Sequence, residues 1–306
     1  MFPPVAQGSI ICAYGDLIQD QLCVLAGDLP PDGHVDAQVS FHRGGCAPNV
    51  LAATAALGAQ ARFLGHFGAD SVSSSLADQL QRGGVRIFGV RRGRGAASLC
   101  IKSPDGSTSF ILDPADSRSV TPGDIRRWWL KDAAVLHLNS YHLYAEGSAD
   151  AFWKIVGLAQ EASIPISLDV SSTSDLEEYG VNRYREALTR IRPAVLMANE
   201  PEGEALGLEG KFPEGVAVTL FHRGPRPTKV AMESGDNWEV PVPECDNVVD
   251  TVGAGDVFAG GFLVGWTQQR SLRGAVELAH EVAVASIQHL GVEVERERSG
   301  NLSEVI

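Results

Sequence analysis

The 306 residues are 44% apolar and carry a formal net charge of −13, which gives enough apolar material for a large core and a field that repels nucleic-acid phosphates. No run reaches the ~18 apolar residues that cross a bilayer, and Met1-Phe2-Pro3-Pro4 has neither the basic nor the apolar part of a signal peptide. Neither nucleic acid nor membrane is therefore an expected partner, and a cytoplasmic location is expected. Of the five cysteines, Cys12, Cys23, Cys46, Cys100 and Cys245, none has metal-ligand spacing, and their odd number reads as buried thiols.

In chain order, short apolar runs at 9–13, 61–67, 85–90, 133–138, 164–169, 195–198 and 216–221 alternate with helix-length segments. That rhythm predicts one α/β domain over residues 1–306, with a mainly parallel sheet covered by helices on both faces. Predicted helices include 48–57, closed by Gly58, one from Ser71 to Gly83-Gly84, and 272–290. Thr121 and Asp124 form a capping-box pattern that places Trp128 and Trp129 in a further helix. Two segments break the rhythm, 17–40 and 97–112, the second turning at Pro104-Asp105-Gly106. They are expected to pair as a small sheet outside the main one, and 229–242 is expected to form a hairpin turning at Ser234-Gly235-Asp236-Asn237. The basic run Arg91-Arg92-Gly93-Arg94 reads as a solvated loop.

The residues with chemical promise cluster in a few turns. Gly15-Asp16-Leu17-Ile18-Gln19-Asp20 follows the first strand, and carboxylates just past a parallel strand are placed to hold hydroxyls. In Gly44-Gly45-Cys46-Ala47-Pro48-Asn49 the glycines permit close backbone approach, Asn49 offers donor and acceptor, and Cys46 is the one thiol placed to meet a ligand. Gly65-His66-Phe67-Gly68-Ala69-Asp70 reads as a strand end followed by a helix cap at Asp70. Late in the chain, Asp250-Thr251-Val252-Gly253-Ala254-Gly255-Asp256 opens an apolar helix. Unpartnered N–H groups at Gly253, Ala254, Gly255 and Asp256 can grip an anion, and Asp256 serves either as a plain helix cap or as a base beside that anion hole.

Taken together, the Gly44–Asn49 and Asp250–Asp256 motifs, in this order and some 200 residues apart, resemble the two signatures of the ribokinase-like (PfkB) carbohydrate kinases. The resemblance implies a three-layer fold with a β-sheet lid that often forms a homodimer contact. It implies an ATP- and Mg²⁺-dependent phosphotransferase acting on a hydroxyl, expected to be primary, of a sugar, sugar acid or nucleoside. Asp20, Gly44, Gly45 and Asn49 would then hold the acceptor, with Asp16 and Asn139 beside them. Asn199 and Glu202 of Asn199-Glu200-Pro201-Glu202 match the family's N-x-x-E motif and would act on Mg²⁺ through water, with Asp169 as a further acidic neighbour. Thr219-Leu220-Phe221-His222-Arg223-Gly224 matches the nucleotide segment, assigning Thr219, Arg223 and Gly224, together with Thr251 and His280, to ATP. Phe221 stands where the family usually has glycine, which is expected to restrict backbone approach to the nucleotide. The Asp250 loop is the family's monovalent-cation (K⁺) site, but Glu295 replaces a small polar residue of that site, and Asn139 replaces an acidic contact of some sugar kinases. These departures keep open an alternative, a catalytically weak relative that binds sugar or nucleotide as a regulatory protein. A dinucleotide-binding oxidoreductase is excluded, because no G-x-G-x-x-G turn follows the first strand.

Overall fold

The computed structural model describes residues 10–208 and 213–292. Among these residues the strands are β1 (Ile10–Asp16), β2 (Ile18–Leu25), β3 (Ala37–Gly44), β4 (Ala61–Phe67), β5 (Val85–Arg91), β6 (Ala96–Lys102), β7 (Thr108–Asp113), β8 (Ala133–Asn139), β9 (Ile166–Asp169), β10 (Val195–Asn199), β11 (Val218–Arg223), β12 (Arg226–Met232) and β13 (Asn237–Val240). The helices are α1 (Cys46–Ala56), α2 (Ser71–Arg82), α3 (Tyr141–Tyr144), α4 (Ala149–Glu161), α5 (Thr173–Tyr179), α6 (Val181–Ile191), α7 (Glu200–Ala205), α8 (Ala254–Thr267) and α9 (Leu272–Ser286). No helix among them is long and apolar enough to cross a membrane.

Strand β1 is buried on both faces up to its last residue, as its unbroken apolar run requires of a strand covered from both sides. It lies inside a sheet ordered β13-β12-β11-β10-β9-β8-β1-β4-β5. From β11 across to β5 the strands are parallel, while β12 and β13 add an antiparallel edge. The chain moves from β1 to β4 and β5 on one side, then from β8 to β11 on the other. Strand order therefore reverses beside β1, and an open parallel sheet leaves a crevice at the carboxyl ends of its strands at such a point.

Two apolar layers flank the sheet. One packs Val50 and Leu51 of α1, Leu76 and Leu80 of α2 and Val257, Phe262 and Trp266 of α8 with α9. The other packs Phe152 and Ile155 of α4, Leu176 of α5 and Tyr184 and Leu188 of α6. Helix α8 is buried continuously from Val257 to Thr267, and each large side chain it buries contributes roughly 1.5–3 kcal/mol. Its backbone approaches α9 closely: a Cβ on Gly265 would fall 2.7 Å from Ala275 Cα.

The second sheet, ordered β3-β2-β6-β7, comes from the two segments that break the βα rhythm. Strands β2 and β3 are inserted between β1 and α1, and β6 and β7 follow β5. Both hairpins are antiparallel, and they join through a parallel β2–β6 pair. This is the expected ribokinase-like arrangement of a large sheet and a small one.

Several local expectations change. Strand β1 continues through Gly15 to Asp16, and Asp20 lies within β2, inside the segment expected to join the small sheet. Gly44 ends β3, and α1 begins at Cys46, before Pro48. The Thr121–Asp124 pattern does not start an α-helix. The Asp124 carboxylate accepts both the Thr121 N–H and its hydroxyl, and also pairs with Arg92. An isolated turn followed by a short 3-10 helix over Arg127–Leu130 results, carrying Trp128 and Trp129. Helix α9 ends at Ser286 instead of 290. Asp70 caps α2 as expected, accepting the Ser73 N–H at 2.8 Å.

Candidate active site

The carboxyl ends of adjacent parallel strands bring Asp16 (β1), Asn139 (β8), Asp169 (β9), Asn199 (β10) and Arg223 (β11) to one edge. Register sets them level: Asn139 pairs with Asp169, and Asn199 with His222. The small sheet joins the β1 end of this row, since β2 follows β1 directly.

On the lid side, Asp20 pairs across β2 with His42 and Ser98. Burial pushes its carboxyl up to about 6, the Asp256 charge acts in the same direction, and the Ser98 hydroxyl and Arg43 oppose both. Gly44 has to be glycine because a Cβ there would lie 1.9 Å from Asp20 Oδ2, and Gly45 has φ +95 with the Asp16 carbonyl where its Cβ would project. Asp16 Oδ2 lies 3.5 Å from His142 Nε2, while its Oδ1 is buried without a partner. Asn139 is buried, with its Nδ2 3.5 Å from the Tyr14 carbonyl oxygen.

Helix α8 begins with Gly253 as N-cap, at φ 78 and ψ 0, and no side chain caps it. Asp256 is therefore not a cap. Its Oδ2 accepts a 2.9 Å hydrogen bond from Asn49 Nδ2, and the Cys46 thiol lies beside the carboxylate and favours its charged form. Arg43 fixes the Asn49 amide by donating to its Oδ1 at 3.1 Å. Burial raises the Asp256 carboxyl above its ordinary value, with Asn49, Cys46 and Arg43 partly offsetting the effect. A desolvated carboxylate held by neutral donors beside an open helix N-terminus is a competent proton acceptor.

On the β10 side, Asn199 and Glu202 form a reciprocal capping box on α7. Asn199 Oδ1 accepts the Glu202 N–H at 3.0 Å, and Glu202 Oε2 accepts the Asn199 N–H at 2.8 Å. Burial pushes Glu202 up to about 7, against the Asn199 donors. It also drives Asp169 well above the usual carboxylate range, helped by the charges of Glu202 and Asp256 and opposed by Ser171. These carboxylates repel one another and call for a positive charge. Among the described residues no three acidic, thiol or imidazole groups converge tightly enough to hold a metal directly, so the set suits a hydrated ion that keeps its own waters.

The remaining residues matched to a nucleotide are placed less directly. Thr219 is wholly buried two positions before Phe221, and its hydroxyl has no partner. Arg223 donates to the Pro227 carbonyl and to Glu239 at 2.9 Å, folding back over the turn at Gly224. His280 is buried and pairs with the Thr228 hydroxyl at 2.8 Å. Thr251 is exposed at the start of the turn, its carbonyl accepting the Ala254 N–H. The Phe221 ring points into the layer away from α8, against Gly203, beside a cavity of about 390 Å³.

Sequence reasoning did not select Arg43, Ser98 or His222. A Cβ on Gly255 would lie 3.7 Å from His222 Cε1, so this ring flanks the helix opening. Burial, with the neighbouring His280, lowers its value to about 4 and keeps it neutral. Its pairing with Asn199 was the available signal, but only sheet register reveals it.

Asp250 accepts the Lys102 ammonium at 2.7 Å and the Val252 N–H on Oδ1, and the Gly291 N–H on Oδ2. Burial opposes its charge, but these donors prevail and hold its carboxyl below the ordinary range. Glu295 lies outside the described residues.

A family model described as pfkB family carbohydrate kinase matches residues 9–297. The chain is 28% identical over 273 residues to an adenosine kinase of Saccharomyces cerevisiae, covering 81% of this chain and 78% of that protein. It is 30% identical over 268 residues to an ATP-dependent ribose-1-phosphate kinase of Halopiger xanaduensis, covering 83% and 84%. Among solved structures, the adenosine kinase from Sinorhizobium meliloti has the same fold, with a TM-score of 0.83 over 96% of this chain and 97% of that one at 20% identity.

Proposed function

The chain belongs to the pfkB family of carbohydrate kinases, and we propose that it transfers the γ-phosphoryl group of ATP to a hydroxyl, primary in class, of a sugar, sugar acid or nucleoside, with Asp256 as the base. One observation carries this reading: Asp256 is half-buried in the first turn of an uncapped helix and oriented by Asn49. MgATP, when bound, supplies the phosphoryl group and the divalent charge that this carboxylate-rich edge calls for. Asp20, Asp16, Gly44, Gly45, Asn49 and Asn139 hold the acceptor beneath the lid, and the buried, unpartnered Asp16 Oδ1 is available to a substrate hydroxyl. Asp256 takes the hydroxyl proton. The N–H groups of Gly253, Gly255 and Asp256 stabilise charge on the transferring group, that of Ala254 being turned to the Thr251 carbonyl, and positioning supplies most of the acceleration. Asn199, Glu202 and Asp169 orient the hydrated Mg²⁺ through its waters, while Thr251, Arg223 and Gly224 border the nucleotide.

The lid leaves Phe41 64% and Phe110 60% exposed, with Val39, Ile111 and Leu112 also open. A second copy covering this apolar sheet is part of the same reading, testable by sedimentation. The reaction is tested by coupled ATP consumption over a panel of sugars, sugar acids and nucleosides, with wild type and Asp256→Asn side by side. Acceptor-dependent turnover lost in the variant is expected. Equal turnover in both proteins would overturn the role of Asp256, and silence over the whole panel would favour a binding protein.

A further inference from the structure

The Asp250 carboxylate joins three parts of the molecule. Its own N–H and that of Val249 donate to the Ile287 carbonyl after α9, and its Oδ2 takes the Gly291 N–H. Its Oδ1 takes the Val252 N–H, one residue before the Gly253 cap of α8. The third partner comes from the lid: Lys102, the last residue of β6 and 148 positions away, sets its ammonium 2.7 Å from the same oxygen. The side chain of Asp250 is only 3% exposed and that of Lys102 24%.

A carboxylate this deeply buried requires a counter-charge. Among the described residues every donor facing it is an N–H, and one of them carries a full positive charge. An ammonium is a compact point charge with three donors, and in contact with Oδ1 it lies where a free cation bound to that oxygen would have to sit. Like charges at contact distance repel. The expected potassium site thus does not fit the residues that surround Asp250.

We propose that Lys102 is the resident cation of the Asp250 turn, delivered by the lid sheet in place of a free monovalent ion, so that the turn opening α8 is held in shape without potassium. Lys102 is a positioning residue, acting through Asp250 on residues 253–256. The consequence for turnover rests on the kinase reading above, whereas the consequence for cation binding does not.

The test compares KCl, NH₄Cl and choline chloride at equal ionic strength, reading kcat/KM and the melting temperature of the full chain. Wild type is expected to change by less than about twofold between salts and to melt at one temperature in all three. Lys102→Met is expected to lose about tenfold in choline, to regain most of it in KCl or NH₄Cl, and to melt higher in those salts than in choline. Lys102→Arg, which keeps a charge, is expected to show no such response. About tenfold activation of the wild type by potassium would overturn the proposal, and so would a Lys102→Met protein whose melting ignores the salt. If that variant fails to fold, the wild-type comparison still decides. Absence of turnover on every acceptor counts against the proposed reaction alone and leaves the melting comparison intact.

Discussion

The two halves of the sheet edge treat their polar groups differently. Around β1 and the lid, Asp16 keeps a buried oxygen without a partner, burial raises Asp20 to about 6, and Asp256 is raised by burial against Asn49, Cys46 and Arg43. Around β10 and β11, Asn199 and Glu202 satisfy each other, Arg223 is tied to Pro227 and Glu239, and His280 to Thr228. Both halves hold polarity that a ligand can relieve, Asp169, Glu202 and the Thr219 hydroxyl included, but in the second more of it is already tied within the chain. Substitutions in the first are therefore expected to act on chemistry, and those in the second on stability.

The sharpest attempt to break this contrast is Asp256→Asn. Turnover is expected to fall by about 10²–10⁴-fold with little change in melting temperature, and a turnover close to wild type would remove the distinction. Next in size is the pH dependence of Asp20. Its folded value of about 6 lies above the ordinary 3.8, so as pH rises the unfolded chain releases its proton first. The stability from protonated Asp20 is thus full below about pH 4 and lost by about pH 7, an effect of about 2–3 kcal/mol. Urea unfolding of wild type and Asp20→Asn at both pH values measures it, because the variant lacks this component. Phe221→Ala acts on a comparable scale, costing about 3–5 kcal/mol while the KM for MgATP stays within about threefold, since the ring packs away from α8. A much larger change in that KM would place Phe221 in the nucleotide site after all. Asn199→Ala is the smallest, removing about 1 kcal/mol of capping and raising the Mg²⁺ requirement about tenfold, readable by titrating Mg²⁺ at fixed ATP.

Sequence revealed whatever local pattern encodes. The strands at 61–67 and 85–90, the glycine turn before α1 and the opening of α8 announce themselves through apolar runs and glycine spacing. The Asn49–Asp256 hydrogen bond is hidden in the sequence because it spans 207 positions, and each motif on its own reads as a separate role, Asn49 for the acceptor and Asp256 as base or cap. Ser98 and His222 reach the site only through pairing with Asp20 and Asn199, and register is a property of the assembled sheet. Thr121 and Asp124 show the converse: a sound capping pattern, but Asp124 also pairs with Arg92, and the chain turns instead of continuing as a helix. Phe221 reads in the sequence only as a side chain where glycine is expected, and which layer its ring enters follows from strand alternation.

Both lid hairpins leave the main sheet at its carboxyl edge and return to it, one before α1 and the other ahead of β8. Segments attached in this way can be lengthened or exchanged at small entropic cost, about 0.6 kcal/mol per doubling of a flexible loop, without shifting any register beneath them. A transplanted lid could thus change the acceptor while the scaffold of Asp256 persists. The graft has one condition: a hairpin lacking a lysine at position 102 would leave a buried carboxylate uncompensated and make the borrowed specificity depend on the salt in which it was assayed.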